Sequence, residues 1–239
     1  MSRIRSAAVV SNPEKPETAA VEKEVRSFLQ ERGVRILDSP READVLVTIG
    51  GDGTLLYNKG AGIPVFGIGH ALSAICQAKT GDWKGKLAAA LEGFSTDTRA
   101  MLSCTIGKKR VEDALNDVVV VSSTHRGVWL RLRIDAEEHR FYADGVIFAT
   151  PTGSTAYSYS CGGAVIPPWE RKLNVVAVAP YKRAFSPQTV ADSSTFSVAV
   201  EKGDAMIVID GQFVHALKPG ETVSVKKSSR IFELVKPAV

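Results

Sequence analysis

The sequence has few of the residues on which metal sites and disulfide frameworks are built. It contains 3 cysteines and 4 histidines among 239 residues. Cys76, Cys104 and Cys161 are far apart, odd in number and form no C-x-x-C pair, which indicates neither a zinc site nor a disulfide framework. We therefore expect a protein of a reducing compartment and assign no metal-binding side chains.

Long apolar runs and a strong charge imbalance are also missing. No stretch approaches the ~20 consecutive apolar residues of a membrane span, and the first residues lack the apolar segment of a secretory signal. The net charge of +4 is too small to indicate nucleic-acid binding, although it suits anionic nucleotide ligands. The sequence therefore predicts a cytoplasmic protein that binds small-molecule nucleotides, with neither nucleic acid nor membrane among its partners.

The remaining composition is that of an ordinary folded protein. Hydrophobic residues make up 44% and charged residues 23% of the chain, and its length suffices for one large domain or two modest ones. We find no internal repeat and no low-complexity linker. The chain is therefore expected to consist of one or two folded domains.

Residues 1–98 carry the alternating pattern of an α/β domain. Apolar residues at helical spacing over residues 18–32 predict an amphipathic helix, and Asp82 is predicted to cap a second helix. Apolar runs predict strands at residues 4–10, 34–37, 44–49 and 64–68. This order predicts a Rossmann-like α/β domain, in which ligands bind beyond the carboxyl ends of the strands.

The pattern changes after about Arg99. Apolar residues at positions 128, 130, 132 and 134 alternate with Trp129, Arg131 and Arg133, which predicts a strand with one face in a core. Other short apolar runs lie at residues 118–121, 146–149, 175–179, 196–200, 206–209 and 223–225. Many short strands separated by turn residues predict an all-β, β-sandwich-like domain over residues 99–228.

The first candidate functional feature is a glycine loop at the end of a buried strand. The apolar run 45–49 leads directly into Gly50, Gly51, Asp52 and Gly53. Glycines let backbone N–H groups approach a phosphate closely. A carboxylate there would repel that phosphate unless it binds a metal ion or accepts a proton from an attacking hydroxyl, and both roles belong to phosphoryl transfer. The alternative is a tight turn in which Asp52 is only a turn residue.

Two further stretches carry polar residues at the ends of apolar strands. Asn116 and Asp117 precede an apolar run; an amide can recognise an adenine edge and a carboxylate can bind ribose hydroxyls, although an Asn-Asp turn would look the same. Residues 144–163 begin with Asp144 and are rich in hydroxyls, glycine and tyrosine. A run of small residues between two apolar strands favours a ligand-binding segment over an ordinary Ser/Thr-rich loop.

Taken together, these motifs resemble a known family. The glycine loop continued to Thr54, the Leu115-Asn116-Asp117 triplet and the T-P-T-G-S-T-A-Y run that begins at Thr150 are similar to motifs of the NAD kinases, which phosphorylate the 2′-hydroxyl of the adenosine ribose of NAD to give NADP. Diacylglycerol kinases and 6-phosphofructokinases have similar glycine loops, whereas the long run is more specific. The resemblance implies an α/β domain followed by a β-rich domain, with residues 229–239 returning to the first.

The resemblance also implies roles for individual residues. Asp52 corresponds to the general base, Asn116 and Asp117 to contacts with the adenosine and its ribose, and Asp144 to a second polar clamp. It further implies Mg²⁺ with ATP or polyphosphate as the phosphoryl donor, NAD as substrate, and a homodimer or homotetramer. The remaining nucleotide-binding positions that it implies are Gly51, Gly53, Thr54, Thr155, Ala156, Tyr157, Ser158, Tyr159, Ser160, Ala179 and Gln212.

Several positions depart from the family pattern and leave alternatives open. Asp117 stands where the family has Glu, so its shorter side chain needs a closer approach or a bridging water to reach the ribose. Residues 67–73 differ from the usual Gly-Ile-Asn segment, and Asp210-Gly211 before Gln212 is also an ideal hairpin turn. The alternative functions are a lipid or sugar kinase that shares the glycine loop, and a non-catalytic NAD-binding sensor.

Overall fold

The computed structural model describes residues 2–218 and 220–238. The chain forms two units, one made of the residues up to Thr98 together with the segment from Phe232 onward, and the other of Arg99–Ile231. Among the described residues, no helix is both long and apolar enough to cross a membrane.

The first unit is a parallel sheet with intervening helices. The strands pair in the order β2-β1-β3-β4, and β5 continues beside β4. Leu234, near the end of the chain, pairs in parallel with Val65 of β4. The elements are β1 (Ser6–Ser11), α1 (Glu17–Gln30), β2 (Arg35–Ile36), β3 (Val45–Ile49), α2 (Asp52–Tyr57), β4 (Val65–Gly69), β5 (Ala78–Lys79) and α3 (Trp83–Glu92), with 3-10 turns at Pro40–Glu42 and Lys59–Ala61.

The central strands of this sheet deliver their following loops to one edge. Every residue of β3 and of β4 is buried, as expected for strands of a parallel sheet covered on both faces. Just beyond the strands, the Asn12 N–H donates to the Ile49 carbonyl at 3.0 Å and the Gly50 N–H donates to the Ile68 carbonyl at 3.1 Å. The loops after β1, β3 and β4 therefore leave the sheet side by side.

One local prediction for this unit is wrong. Asp82 does precede α3, but its side chain makes no capping hydrogen bond to the helix. Its carboxylate instead accepts a hydrogen bond from the Lys79 N–H at 2.6 Å and pairs with Lys86 at 2.7 Å. Two competing donors within four residues occupy the oxygens that a cap would need.

The second unit contains most of the strands, and β6 and β17 cross its boundaries. Its short helix α4 follows a 3-10 turn at Gly153–Thr155, and another such turn lies at Tyr181–Arg183. The elements are β6 (Phe94–Ile106), β7 (Lys109–Arg110), β8 (Asp117–Ser122), β9 (Val128–Ile134), β10 (Glu137–Ala143), β11 (Gly145–Ala149), α4 (Tyr157–Ser160), β12 (Lys172–Val178), β13 (Gln188–Ala191), β14 (Thr195–Lys202), β15 (Ala205–Ile209), β16 (Phe213–Leu217) and β17 (Thr222–Pro237).

Two antiparallel sheets share one core in the second unit. One runs β10-β9-β14-β17, and the other runs β13-β12-β11-β8-β15-β16. Alternate residues of both sheets, such as Leu130 and Leu132 from the first and Val120 and Phe148 from the second, are buried in the same apolar cluster. This is the packing of a β-sandwich. The predicted order of an α/β domain followed by a β-rich domain is confirmed.

Candidate active site

The glycine loop of the first unit is bare backbone at the edge where the parallel strands end. Gly50 has φ of 140° and Gly51 has φ of 108°, values that other residues rarely adopt. A Cβ atom on Gly50 would lie 2.5 Å from the Thr54 hydroxyl oxygen, so no side chain fits there. Helix α2 begins directly after Gly51. The loop can therefore present its backbone to an anionic ligand without steric hindrance.

Asp52 is fixed by backbone hydrogen bonds from a neighbouring segment. One carboxylate oxygen accepts from the Ala74 N–H at 2.6 Å, and the other accepts from the N–H groups of Ile75 at 3.0 Å and Cys76 at 3.2 Å. Three donors restrict the carboxylate to one orientation. Burial, reinforced by the negative charge of Asp52, raises the pKa of the adjacent Cys76 thiol to about 12.

Residues 67–73, which depart from the family pattern, fold tightly beside this loop. The His70 ring lies 3.1 Å from the point where a Cβ of Gly51 would be, and the Ser73 hydroxyl accepts a hydrogen bond from the His70 N–H at 3.1 Å. A Cβ on Gly69 would come within 2.2 Å of the Ser73 hydroxyl oxygen. The departure from the family pattern at position 69 therefore places a glycine where the packing of Ser73 leaves no room for a side chain.

Lys15 is a residue of this site that the sequence analysis missed. It follows β1, and its ammonium group donates a hydrogen bond to the Gly50 carbonyl at 3.2 Å. The pair is separated by 35 positions in sequence, and no motif marks the lysine. The parallel pairing of β1 with β3 brings the two loops together.

In the second unit, Asp210 and Thr150 together form hydrogen bonds with every backbone N–H and C=O group of residues 115–117. The Asp210 carboxylate accepts hydrogen bonds from three consecutive N–H groups, at 2.9 Å from Leu115, 2.7 Å from Asn116 and 3.1 Å from Asp117. The Asp210 N–H donates to the Asp117 carbonyl at 3.0 Å. Thr150 donates to the other two carbonyls, with its hydroxyl to Leu115 at 2.5 Å and its N–H to Asn116 at 2.9 Å. All six backbone polar groups of the triplet are thereby paired.

The side chains of Asn116 and Asp117, unlike the backbone of the triplet, are not fully satisfied by hydrogen bonds within the described part of the protein. Asp117 is only 5% exposed, and this burial, followed by the negative charge of Asp210, raises the pKa of the Asp117 carboxyl to about 7. The amide oxygen of Asn116 is buried and has no hydrogen-bond partner among residues 2–218 and 220–238. A buried acceptor without a partner is energetically costly, and an N–H group of a ligand would relieve that cost.

The hydroxyl-rich run divides into an inner and an outer set. The Ser154 hydroxyl donates to the Pro151 carbonyl at 2.7 Å and accepts from the Ile166 N–H at 2.9 Å. Ser158 is fully buried, and its hydroxyl oxygen accepts from the Asn174 amide at 3.2 Å. These hydroxyls stabilise the fold, so the structure gives Ser158, predicted to bind nucleotide, a structural partner. The outer set comprises the exposed Thr155, Tyr157, Tyr159 and Ser160, with Ala156 half-buried.

Position 153 in this run must be glycine because the backbone of Asn116 lies against it. A Cβ atom on Gly153 would lie 2.1 Å from the Asn116 carbonyl oxygen. The run and the 115–117 triplet are therefore packed directly against each other, and this contact brings two of the sequence motifs together.

The other predicted positions lie at opposite ends of the six-stranded sheet. The exposed Gln212 belongs to the same hairpin loop as Asp210, beside the triplet. The Asp144 N–H donates to Val178 at 2.9 Å, which sets Asp144 beside Ala179, a residue with φ of 46°. Strand pairing matches Asp117 with Ala149 but Val121 with Gly145, and four extended residues span about 13 Å. Asp144 and Ala179 are thus separated from the triplet.

Comparison with known proteins agrees with this architecture. A family model described as the ATP-NAD kinase C-terminal domain matches residues 128–237. The NAD kinase of Chlorobium limicola is 31% identical over 258 aligned positions that cover 95% of this chain and 90% of that protein. The NAD kinase of Methanosarcina acetivorans is 31% identical over 252 positions, covering 94% and 91%.

Solved structures show the same similarity. The NAD kinase from Archaeoglobus fulgidus in complex with ATP superposes with a TM-score of 0.83 and 27% identity, over 98% of this chain and 93% of that one. Yeast NADH kinase complexed with NADH gives a TM-score of 0.87 over 99% of this chain and 84% of that one, and at 20% identity this is a likeness of fold alone.

The fold, the glycine loop with its fixed carboxylate and these relatives together define a phosphotransferase. With 31% identity to relatives of which it spans nine-tenths, the chain belongs to the NAD kinase family. The resemblance seen in its motifs is therefore confirmed.

Proposed function

We propose that this protein transfers a phosphoryl group from ATP or polyphosphate to the 2′-hydroxyl of the adenosine ribose of NAD, giving NADP. The observation that carries the proposal is Asp52, a carboxylate held by three backbone N–H groups inside a glycine loop at the carboxyl ends of parallel strands. Its relatives from Chlorobium limicola and Methanosarcina acetivorans, both named NAD kinase, support the same activity.

NAD recognition is assigned to groups that are available for contact. Asn116 binds the adenine edge with the amide oxygen that lacks a protein partner, and Asp117 binds the ribose hydroxyls. Gly51, Gly53 and Thr54 contribute the backbone against which the phosphates lie. Further nucleotide contacts are assigned to Asp144, Thr155, Ala156, Tyr157, Tyr159, Ser160, Ala179 and Gln212. Ser158 belongs to the same segment, but its buried hydroxyl bonds to Asn174 and supports the fold instead.

The proposed reaction needs little covalent chemistry from the protein. The 2′-hydroxyl oxygen forms a bond to the terminal phosphorus of the donor, its proton passes to Asp52, and the leaving phosphate oxygen takes the electron pair of the bond that breaks. Because backbone donors hold Asp52 in one orientation, correct positioning of this base supplies much of the rate.

We propose that Mg²⁺ is bound chiefly by the donor rather than by the protein. In the part of the chain that the structure describes, no three His, Cys, Asp or Glu side chains are grouped so as to hold a metal ion. Mg²⁺ in such enzymes is held by substrate phosphates, water and one or two carboxylates, and there it neutralises charge on the transferring phosphate.

The decisive experiment compares the purified protein with its Asp52→Asn variant. NADP formation is measured with an NADP-specific dehydrogenase, using NAD with MgATP or polyphosphate. We expect turnover in the variant to fall about 100-fold or more, because the amide cannot accept the proton. NAD affinity, measured by calorimetry, should change little.

Asp44→Asn is the matched control for lost backbone hydrogen bonds. Asp44 also lies in the first unit, and its carboxylate accepts from the N–H groups of Arg5 and Ser6, both at 2.8 Å. This variant should keep its turnover. If Asp52→Asn kept near-full turnover, or Asp44→Asn lost as much, Asp52 would not be the base. NAD binding by the wild type without NADP from any donor would instead favour a sensor.

We also propose that the enzyme acts in the cytoplasm as a homodimer or homotetramer, as the family resemblance implies. Light scattering coupled to size-exclusion chromatography measures the oligomeric state directly. A monomer at the concentrations used for the activity assay would refute the oligomer.

A further inference from the structure

We propose that Asp210 is a positioning residue for NAD binding, which fixes Asn116 and Asp117 through hydrogen bonds to their backbone and places a negative charge near the Asp117 carboxyl. This inference rests on the proposed function. Asp210 itself is placed behind the triplet and is assigned no contact with NAD.

Asp210 binds three consecutive backbone N–H groups, and few other side chains could do so. It is buried, 5% exposed, and reaches the triplet from a hairpin loop more than 90 positions further along the chain, with separations of 93 to 95 residues. Its two oxygens accept from three consecutive N–H groups, which a single amide oxygen cannot do in the same way. All three N–H groups of the backbone that carries Asn116 and Asp117 are thus bound by one side chain.

The loop that carries Asp210 is built to hold this position. Ile209 pairs with Phe213, and the Gln212 N–H donates to the Ile209 carbonyl at 3.0 Å. Asp210 has φ of 52° and Gly211 has φ of 65°, as a tight hairpin turn of the I′ type requires. The Asp-Gly pair therefore serves as the hairpin turn and, through its carboxylate, as the support of a separate strand.

The charge of Asp210 acts on the same residue that its hydrogen bonds position. Burial and then the Asp210 charge raise the pKa of Asp117. Asp117 also acts electrostatically on the Tyr157 phenol, whose pKa is raised by burial, then by Cys161, Asp144 and Asp117, so the phenol stays neutral near pH 7. An ionised carboxylate accepts hydrogen bonds from both ribose hydroxyls, whereas a protonated one loses part of that capacity. NAD affinity should consequently improve as the pH rises through about 7.

The test is the KM for NAD measured from pH 5.5 to pH 9 in the wild type and in Asp210→Asn, with the KM for MgATP as internal reference. In the variant the KM for NAD should rise about tenfold or more while the KM for MgATP stays within about twofold. The inflection in the pH profile should also move to lower pH, because the neighbouring negative charge is gone. A merely structural role would raise the KM at every pH and leave the inflection in place.

Asp192→Asn is the matched control, because Asp192 is another buried carboxylate of the second unit but pairs with Lys227 and Arg171. It should leave both KM values and the inflection unchanged. Should Asp210→Asn fail to fold, Asp117→Asn gives an independent test, since removing the titrating group must abolish the inflection. An unchanged inflection in either variant overturns the proposal, whereas absence of NADP formation by the wild type refutes the proposed function instead.

Discussion

Replacing Asp117 by Asn should make the stability of the protein less dependent on pH between pH 5 and pH 8. Asp117 is 5% exposed, and its pKa rises from an ordinary 3.8 to about 7, first through burial and second through the charge of Asp210. The folded protein therefore binds this proton more tightly than the unfolded chain does. Its contribution to stability is complete below pH 3.8 and is lost progressively as the pH rises to about 7.

The size of the effect follows from the shift in pKa. A change of about 3 units corresponds to about 4 kcal/mol at 1.36 kcal/mol per unit, and about 2.5 kcal/mol of it is lost between pH 5 and pH 8. This is a large part of the ~5–15 kcal/mol that stabilises a typical folded protein. The Asn variant carries no ionisable group at this position, so it should not suffer the loss.

Urea unfolding of the NAD-free protein, followed by far-UV circular dichroism at pH 5 and pH 8, measures the effect. From pH 5 to pH 8, the unfolding free energy of the wild type should fall by about 2.5 kcal/mol more than that of Asp117→Asn. The control Asp192→Asn should behave as the wild type, because the hydrogen bonds and charges of Lys227 and Arg171 together outweigh the burial of Asp192 and lower the pKa of that carboxyl. Equal pH dependence in Asp117→Asn and wild type would refute the reasoning.

Two further predictions test packing and thiol chemistry. Gly153→Ala should lower the unfolding free energy by about 1–3 kcal/mol, because the added Cβ would lie 2.1 Å from the Asn116 carbonyl oxygen. Calorimetry should also show that this variant binds NAD more weakly. A variant with the stability and NAD affinity of the wild type would contradict this contact. Burial raises the pKa of Cys76 and of Cys104 to about 12, so iodoacetamide at pH 8 should first label the half-buried Cys161. Mass spectrometry identifies the labelled thiol, and faster labelling of either buried cysteine would be inconsistent with the structure.

Most strands with a buried face could be predicted from the sequence, whereas three strands at sheet edges could not. The alternating pattern predicted β9 over its observed range Val128–Ile134, where every second residue is buried. Six strands were missed, and three of them, β10, β13 and β16, are edge strands of their sheets. An edge strand buries fewer side chains, so selection for apolar residues is weaker and the period-two pattern fades. β10, for example, begins with two glutamates, Glu137 and Glu138.

The hydroxyl-rich run illustrates a second limit. Its composition indicated a ligand-binding segment, yet composition cannot separate a hydroxyl that bonds within the fold from one that faces solvent. Ser154 and Ser158 are fully buried, whereas Ser160 is exposed. Only the packing of the run against residues 115–117 and β12 divides the two sets.

The sequence by itself determined the order of the two halves, the glycine loop and the family motifs, because these depend on local patterns of apolar, glycine and polar residues. Only the tertiary structure decided how the site carboxylates are held. Asp52 bonds to residues 22 to 24 positions away, and Asp210 to residues 93 to 95 positions away. Such partners are adjacent only after the strands have paired, so no local pattern of residues can encode them.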